Sequence, residues 1–198
     1  MKEILVLYYS RNGSVAALAE VIAESINRSP GVSARVRTVP AIDEQLFSSS
    51  GVAPADGPLF CSEQDLIDCD GLFLGSPTRF GNMAAPMKHF WDGTGSIWAS
   101  GNLVDKPAAV FTSSNSMHGG NEATLLSMMI PLLHHGMLIM GVPYSCAQLN
   151  STRQGGTPYG ASHVESQDSD ELHSDERAIA VFQAERMTRL LSAVATQM

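Results

Sequence analysis

Residues suited to binding a small organic ligand are concentrated between positions 74 and 82. This stretch holds Thr78, Arg79 and Phe80 together with Pro77 and two glycines. It therefore offers backbone N–H groups, a cation and an aromatic ring, on a backbone that glycine frees and proline stiffens. These groups suit a flat ring with polar edges better than a metal ion, whose usual protein ligands are His, Cys, Asp and Glu.

A second polar stretch, residues 10–14, reads Ser-Arg-Asn-Gly-Ser and stands between an apolar run and a helical pattern. It supplies hydroxyl groups, an amide and a tight bend at Gly13, and the following helix points the positive end of its dipole at the same place. It lacks the G-x-G-x-x-G pattern of dinucleotide-binding loops and the lysine of triphosphate-binding loops. We expect it to bind a single terminal phosphate, although Ser and Asn also occur in turns that only cap a helix.

Five apolar runs and five helical patterns alternate along the chain and determine where the polar stretches lie. Strands are predicted at residues 4–9, 32–39, 71–74, 107–114 and 137–142, and helices are predicted to begin near residues 15, 62, 83, 121 and 171. Such alternation predicts an α/β protein with a parallel sheet and right-handed crossovers. The three remaining long segments, residues 41–58, 92–101 and 153–160, are predicted to be loops because small and polar residues dominate them.

The predicted topology brings the polar stretches together. In a doubly wound, five-stranded sheet of order 2-1-3-4-5, the carboxyl ends of the first, third and fourth strands are neighbours, and ligands bind at that edge. Residues 10–14 and 74–82 follow the first and third strands, and a third polar stretch, residues 113–120, follows the fourth. We therefore expect one shared ligand site in a single domain of residues 1–198.

Composition narrows the class of function. Twelve basic and 20 acidic residues give a net charge of −8 with no clustered basic face, which argues against a nucleic-acid binder. The three cysteines have no C-x-x-C spacing and are typical of reduced thiols in a cytoplasmic protein. The N-terminal apolar run is too short for a signal peptide, and two prolines and two histidines interrupt residues 128–144, so we expect no membrane span.

Four further residues have two interpretations each. Trp98 would stack on a bound ring or fill a core or interface position. Arg79 would stabilise negative charge on a ring or form a surface ion pair. His134 and His135 end an apolar helix, where core histidines satisfied by hydrogen bonds are the commoner case, and neither has a partner at metal-ligand spacing. No serine stands in the G-x-S-x-G pattern of a nucleophilic triad.

Five motifs together resemble the tryptophan-repressor-binding protein (WrbA) family of flavodoxin-like NAD(P)H:quinone oxidoreductases. They are Leu-Tyr-Tyr-Ser at 7–10, Gly-Ser-Pro-Thr-Arg-Phe-Gly-Asn-Met at 75–83, Trp-Ala-Ser-Gly at 98–101, His-His-Gly-Met at 134–137 and Gly-Gly-Thr-Pro-Tyr-Gly-Ala at 155–161. The second and fifth motifs are specific, and the resemblance runs from the first strand to the terminal helix.

The resemblance implies FMN as the cofactor, NADH or NADPH as the hydride donor, and a homotetramer (or dimer of dimers) that reduces quinones by two electrons. In this ping-pong cycle, hydride passes to the flavin N5, the oxidised nicotinamide leaves, and a quinone is reduced in the same place. By position, the phosphate of FMN would be held by the first polar stretch: Ser10, Arg11, Asn12, Gly13, Ser14 and Val15. The ring would be held by Pro77, Thr78, Arg79, Phe80, Gly81 and Asn82. The far edge of the ring would contact Ser113, Ser114, Asn115, Ser116 and Gly119, and His134 would also lie near the cofactor. Substrates would meet Asn12, Phe80, Trp98 and His134, partly across subunits, and His134 would act catalytically by orienting a quinone oxygen or delivering its proton.

Two departures from the family pattern bear on this transfer. The family commonly has an aromatic residue at the position of Asn12 and often a histidine at that of Ser14, so the resemblance does not carry the family's nicotinamide contacts over to these two residues. The stretch 113–120 is also one residue longer than in some members.

Two other classes of function remain as alternatives. A flavodoxin-type electron carrier that docks on protein partners is the first, and the segments 92–105 and 146–169 argue against it because they are suited to enclosing a pocket. A non-catalytic partner of a transcriptional repressor, suggested by the family's name, has no support in the chain.

Overall fold

The structure, a computed structural model, describes residues 1–43, 48–49, 57–165 and 171–195. The strands are β1 (Lys2–Tyr8), β2 (Val32–Thr38), β3 (Ile42–Asp43), β4 (Ser48–Ser49), β5 (Gly71–Arg79), β6 (Asn82–Met83), β7 (Pro107–Ser114), β8 (Leu138–Ile139) and β9 (Ala161–Val164). The helices are α1 (Ser14–Asn27), α2 (Glu63–Asp68), α3 (Ala85–Asp92), α4 (Gly95–Ala99), α5 (Asn121–His134), α6 (Gln148–Ser151) and α7 (Ser174–Ala195). None of the helices in these ranges combines the length and the hydrophobicity needed to cross a bilayer.

The central sheet confirms the predicted topology. Its parallel strands run in the order β2-β1-β5-β7, and β8 and β9 both pair with β7 at the fifth position. This is the predicted flavodoxin-like order 2-1-3-4-5. The register places Tyr8 beside Gly75 and Gly75 beside Phe111, so the carboxyl ends of β1, β5 and β7 meet at one edge.

Helices cover both faces of the sheet, and successive residues of the central strands serve opposite faces. Ile4 and Val6 of β1 belong to the core cluster that includes α1 and α7, whereas Leu5 and Leu7 belong to the cluster that includes α3 and α5. All four side chains are fully buried. Burial on both faces explains why the first strand is a continuous apolar run rather than an alternating one.

The helix predicted to begin near residue 62 is α2, and it starts with a capping box at Ser62. The Ser62 hydroxyl accepts a hydrogen bond from the Asp65 N–H at 3.2 Å, and the Asp65 carboxylate accepts one from the Ser62 N–H at 2.9 Å. Arg35 and Arg37 of β2 donate to the same carboxylate at 2.9 and 3.2 Å. Burial alone would raise the pKa of Asp65, but the bonds from Ser62 and the two guanidinium groups lower it to about 2.

The fifth sheet position corrects the prediction of one strand at residues 137–142. Only Leu138–Ile139 pairs with the beginning of β7. The chain then leaves the sheet, and Ala161–Val164 returns to pair with the end of β7. β9 was not predicted, because its four residues, which include Ser162 and His163, show neither an apolar run nor a clean alternation.

Two predicted loops were wrong in part. The glycine-rich stretch 92–101 contains α4, whose Ile97 is buried in the core. Within the predicted excursion 41–58, β3 and β4 form an antiparallel pair, while residues 44–47 and 50–56 lie outside the described part of the chain.

Candidate functional site

A cleft opens at the edge of the sheet where β1, β5 and β7 end. It is lined by Ser10, Arg11, Asn12, Ser14 and Val15 from the first polar stretch, Pro77, Thr78 and Arg79 from the second, Ser113, Ser114 and Asn115 from the third, and Glu165. The structure thus brings together all three stretches that were expected to form one site.

The first stretch leaves the start of α1 open. Gly13 has a φ of 96°, in the left-handed region that favours glycine, and as the N-cap it provides no side chain to the N–H groups of the first turn. The Ser10 hydroxyl accepts a hydrogen bond from the Gly13 N–H at 3.1 Å, which holds the bend. The uncapped N–H groups and the positive end of the helix dipole therefore favour an anion at this end of the cleft.

The second stretch is a hairpin, although the predicted strand ends at residue 74 and the next helix is predicted to begin near residue 83. β5 stays paired with β7 as far as Pro77 and continues to Arg79, and β6 then folds back on it. The turn consists of Phe80 and Gly81, with φ of 52° and 76°. A bulky residue in this region costs about 1–3 kcal/mol, and the turn leaves the Phe80 ring fully exposed beside the cleft.

Side chains of the hairpin also hold the third stretch. The Thr78 hydroxyl donates to the Gly119 carbonyl at 3.2 Å and accepts from the Thr124 hydroxyl at 2.7 Å. The Asn82 carboxamide oxygen accepts the Met83 N–H at 2.9 Å. The side chains of Thr78 and Asn82 are therefore engaged within the protein, whereas the exposed Arg79 guanidinium donates only to the Thr78 carbonyl, at 2.8 Å, among the described residues.

The third stretch begins inside β7. Ser113 and Ser114 are buried strand residues, and the Ser114 hydroxyl donates to the Ser116 carbonyl at 2.8 Å. A Cβ on Gly119 would lie 2.7 Å from the Ser114 Cβ, so this turn requires glycine. Asn115 and Ser116 are exposed at the rim of the cleft.

Glu165 lines the cleft but was not among the predicted site residues. It directly follows β9, and its N–H donates to the Ser114 carbonyl at 2.8 Å. No local pattern marks it, because its position depends on the pairing of β9 with β7.

A buried carboxylate, Glu176 of α7, holds β9 in place. It accepts hydrogen bonds from the N–H groups of Gly155 at 2.7 Å, Val164 at 2.9 Å and His173 at 3.1 Å, and it lies 2.7 Å from Nδ1 of His163. Burial alone would raise the pKa of Glu176, but the bonds from His163, Val164 and Gly155 lower it. We call Glu176 and these four partners the Glu176 anchor.

Trp98 and His134 do not lie in the cleft of their own chain. His134 is the last residue of α5, whereas the cleft lies near the first, and 14 residues at 1.5 Å each separate the two ends by about 20 Å. The Trp98 indole N–H donates to the His134 carbonyl at 2.9 Å, and both side chains are exposed. A role for either residue at the site therefore requires a second copy of the chain.

His135 is buried in the core, as that interpretation expects, but its hydrogen bonding is only half satisfied, since the buried Nδ1 has no partner among the described residues. Its Nε2 lies 3.0 Å from the Thr94 hydroxyl, and its ring packs edge-on against Trp91 with 5.3 Å between ring centroids. Burial, and then the neighbouring His134, lower the pKa of His135.

The cleft has the chemistry of an organic-ligand site. It offers hydroxyl, amide, backbone N–H and guanidinium groups with a single carboxylate, Glu165. Across the described ranges, His, Cys, Asp and Glu side chains form no group of three that would hold a metal ion. The arrangement suits an elongated ligand with a phosphate at one end and a polar-edged ring at the other.

Comparisons with known proteins agree with this arrangement. Residues 3–149 match the NADPH-dependent FMN reductase family. An NAD(P)H dehydrogenase (quinone) of Solidesulfovibrio magneticus is 42% identical to this chain, and the alignment covers 87% of this chain and 88% of the relative. An NAD(P)H dehydrogenase (quinone) of Chromohalobacter salexigens is 40% identical, and the alignment covers 98% of this chain and 100% of the relative. The crystal structure of a flavodoxin, WrbA-like protein from Agrobacterium tumefaciens has a TM-score of 0.68 at 21% identity, over 98% of this chain and 99% of that one, and so shares the fold. The resemblance drawn from the five motifs is confirmed.

Proposed function

We propose that this chain, which belongs to the NADPH-dependent FMN reductase family, is an FMN-dependent NAD(P)H dehydrogenase that reduces quinones to hydroquinones. One observation carries the proposal: three chain segments meet in one cleft, and its two ends offer different binding groups. The open start of α1 suits the phosphate of FMN, and the hairpin with its exposed guanidinium suits the polar edge of a flavin ring.

The residues divide the binding of FMN among them. Ser10, Arg11, Asn12, Gly13, Ser14 and Val15 would hold the phosphate, Pro77, Thr78, Arg79, Phe80, Gly81 and Asn82 the ring, and Ser113, Ser114, Asn115, Ser116 and Gly119 the far edge of the ring. FMN, when bound, supplies the hydride chemistry, and the protein supplies orientation and electrostatics. Arg79 places a positive charge where it favours negative charge on the ring.

The two substrates would use one pocket in turn. Asn12 and Phe80 are both exposed at the rim, on the first and second stretches, and a nicotinamide or quinone ring has the flat apolar face that stacks on an aromatic ring. Sharing one pocket requires the oxidised nicotinamide to leave before the quinone enters, which is a ping-pong order.

A homotetramer would complete the pocket. The outer face of α5 exposes Leu126, Ile130 and Leu133, at the spacing of one helix face, and Trp98 and Leu138 are exposed as well. Apolar side chains concentrated on one surface favour burial against another chain. A second copy placed there would bring Trp98 and His134 within reach of the cleft, where the His134 imidazole would orient a quinone oxygen or deliver its proton.

Titration with FMN and steady-state kinetics test the activity. We expect the purified protein to bind FMN and to oxidise NADH or NADPH with benzoquinone, giving parallel double-reciprocal plots at different quinone concentrations. Bound FMN without turnover, together with a stable one-electron-reduced state, would favour the electron carrier instead. Failure to bind FMN at micromolar concentrations would rule out both.

Light scattering of an α5 variant tests the assembly. We expect Ile130→Asp to lower the mass of the oligomer and the quinone turnover together, since a charge on the α5 face opposes its burial. Val194→Asp, which changes an exposed apolar residue near the end of α7, is the matched control and should do neither. A parent protein that is monomeric and fully active would contradict the assembly and the role of His134.

A further inference from the structure

Arg11 and Arg79 line a second cavity as well as the cofactor cleft. This cavity, of about 400 Å³, adjoins the cleft at these two residues, and its other walls come from Tyr9, Ile42 and the start of α3. A ligand in the cavity would therefore lie next to whatever occupies the cleft.

The described lining of the cavity carries two guanidinium groups, in a chain whose net charge is −8. None of the described residues that line it is acidic. Elsewhere, Arg35 and Arg37 pair with Asp65, and Arg177 pairs with Glu24. Within the part of the chain that the structure describes, neither Arg11 nor Arg79 forms an ion pair, so their charges are available to an anionic ligand.

The start of α3 adds to this positive potential. Ala84, Ala85 and Pro86 line the cavity, and Ala84 is the N-cap of the eight-residue helix, with no side chain that caps the first turn. The positive end of the helix dipole therefore faces the same space as the two guanidinium groups. Arginine is well suited to phosphate because its planar donors match the geometry of the phosphate oxygens.

We propose that this cavity binds phosphate groups of the nicotinamide dinucleotide, with the Arg11 guanidinium as the main ligand and Arg79 beside it. The inference rests on the proposed function, since it takes the donor to be NADH or NADPH. The phosphates have two possible sources: the diphosphate that both donors share, and the 2′-phosphate that only NADPH carries. Tyr9 and Ile42 provide apolar surface for the adjoining ribose or adenine.

Direct binding to the FMN-loaded protein tests the site without relying on turnover. Calorimetry with ADP-ribose, which carries the diphosphate, and with 2′,5′-ADP, which carries the 2′-phosphate, identifies the source. We expect Arg11→Gln to weaken the binding of at least one of these probes about tenfold, as loss of a charge-assisted hydrogen-bond pair does. Arg11→Lys should keep part of the affinity, because it retains the charge and loses the planar donors.

A matched control removes the same charge elsewhere. Arg28 follows the last residue of α1, at the end of the helix that lies away from the cleft. Its side chain is 68% exposed and forms an i,i+4 ion pair with Glu24. Arg28→Gln should leave the affinity for both probes within twofold. In kinetic assays of the FMN-loaded proteins, Arg11→Gln should raise KM for the donor that carries the recognised phosphate, and Arg28→Gln should not.

The outcomes separate this proposal from the proposed function. If neither probe binds, or if Arg11→Gln leaves both affinities unchanged, the proposal is overturned even when quinone reduction proceeds. If Arg11→Gln instead weakens FMN and not the probes, the guanidinium serves the cofactor phosphate, and the proposal is again overturned. Probe binding that depends on Arg11 supports the site, even if quinones prove not to be the acceptor.

Discussion

The cofactor cleft and the Glu176 anchor are two polar regions joined by β9. The polar groups of the anchor are hydrogen-bonded within the protein, whereas several of those in the cleft are not. In the anchor, the Glu176 carboxylate is fully buried and accepts three backbone N–H bonds besides its contact with His163. In the cleft, the first turn of α1 has no side-chain cap and Arg11 has no ion pair among the described residues.

The difference follows from what each region does for the molecule. A buried polar group destabilises the fold unless it is hydrogen-bonded, so the anchor completes its own bonds and fixes β9 against β7. Groups that face solvent do not carry that cost, and they stay available for a ligand. We therefore expect changes in the anchor to lower the stability of the apo protein, and changes in the cleft to lower the affinity for ligands.

Glu176→Ala is expected to have the largest effect. Removing the carboxylate leaves buried N–H groups without acceptors, and the loss of one partner of a buried pair costs about 3–5 kcal/mol. Urea unfolding of the apo protein measures this cost. Glu176→Gln should lose less, because its carbonyl oxygen still accepts from Gly155 and Val164. A Glu176→Ala variant within 1 kcal/mol of the parent would show that the anchor does not hold the fold.

Ser14→Ala should lower the affinity for FMN and leave the stability of the apo protein nearly unchanged. Loss of a hydroxyl next to a bound phosphate removes a charge-assisted hydrogen bond, so the Kd for FMN should rise by about tenfold or more. The unfolding free energy of the apo protein should change by less than about 0.5 kcal/mol, since Ser14 is no part of the buried core. Ser151→Ala, in α6 and outside the cleft lining, is the control for both measurements. Equal loss of apo stability in Ser14→Ala would remove the contrast between the regions.

Acid should weaken the anchor and leave a signature that Glu176→Gln lacks. The folded-state pKa of Glu176 lies below its ordinary value of 4.5, so the unfolded state binds protons first as the pH falls. The stabilisation is therefore fully present above about pH 4.5 and is lost progressively below it. The urea midpoints of the parent and of Glu176→Gln should therefore approach each other as the pH is lowered from 6 to 3.5. Asp65, whose pKa is about 2, contributes equally to both proteins and does not affect the difference. Parallel curves for the two proteins would contradict the assignment.

Arg79→Gln is expected to have the smallest effect. An exposed positive charge beside the ring stabilises negative charge on the reduced ring by about 1 kcal/mol, and the variant loses this stabilisation. For a two-electron couple, that loss corresponds to a shift in midpoint potential of about 20 mV. The midpoint potential of bound FMN should therefore become more negative, as spectroscopic titration against a reference dye would show. Arg28→Gln serves as the distant control. An unchanged potential would mean that the guanidinium lies away from the ring.

Local patterns predicted those parts of the fold that local physics controls. The bounds of β7 and α5 agree with the predicted strand 107–114 and helix 121–134, because full burial and amphipathic spacing leave clear marks in a sequence. The start of α2 at Ser62 likewise agrees with the helix predicted to begin near residue 62. The predicted strand ends at residue 74 and the hairpin at Phe80 and Gly81 was not predicted, because pairing with its neighbours, rather than its own composition, extends β5 to Arg79.

The amino-acid sequence alone determined the order of the strands and the identity of the residues that follow them, because strand, turn and helix preferences act over a few residues. The tertiary structure decided which distant residues meet: Glu165 enters the cleft only through the pairing of β9 with β7, and Glu176 reaches its partners only through the packing of α7. It also placed Trp98 and His134 together at the far end of α5, a helix about 20 Å long that begins just after the third polar stretch. Contacts between segments that are distant in sequence depend on the whole packed chain, and no local pattern records them.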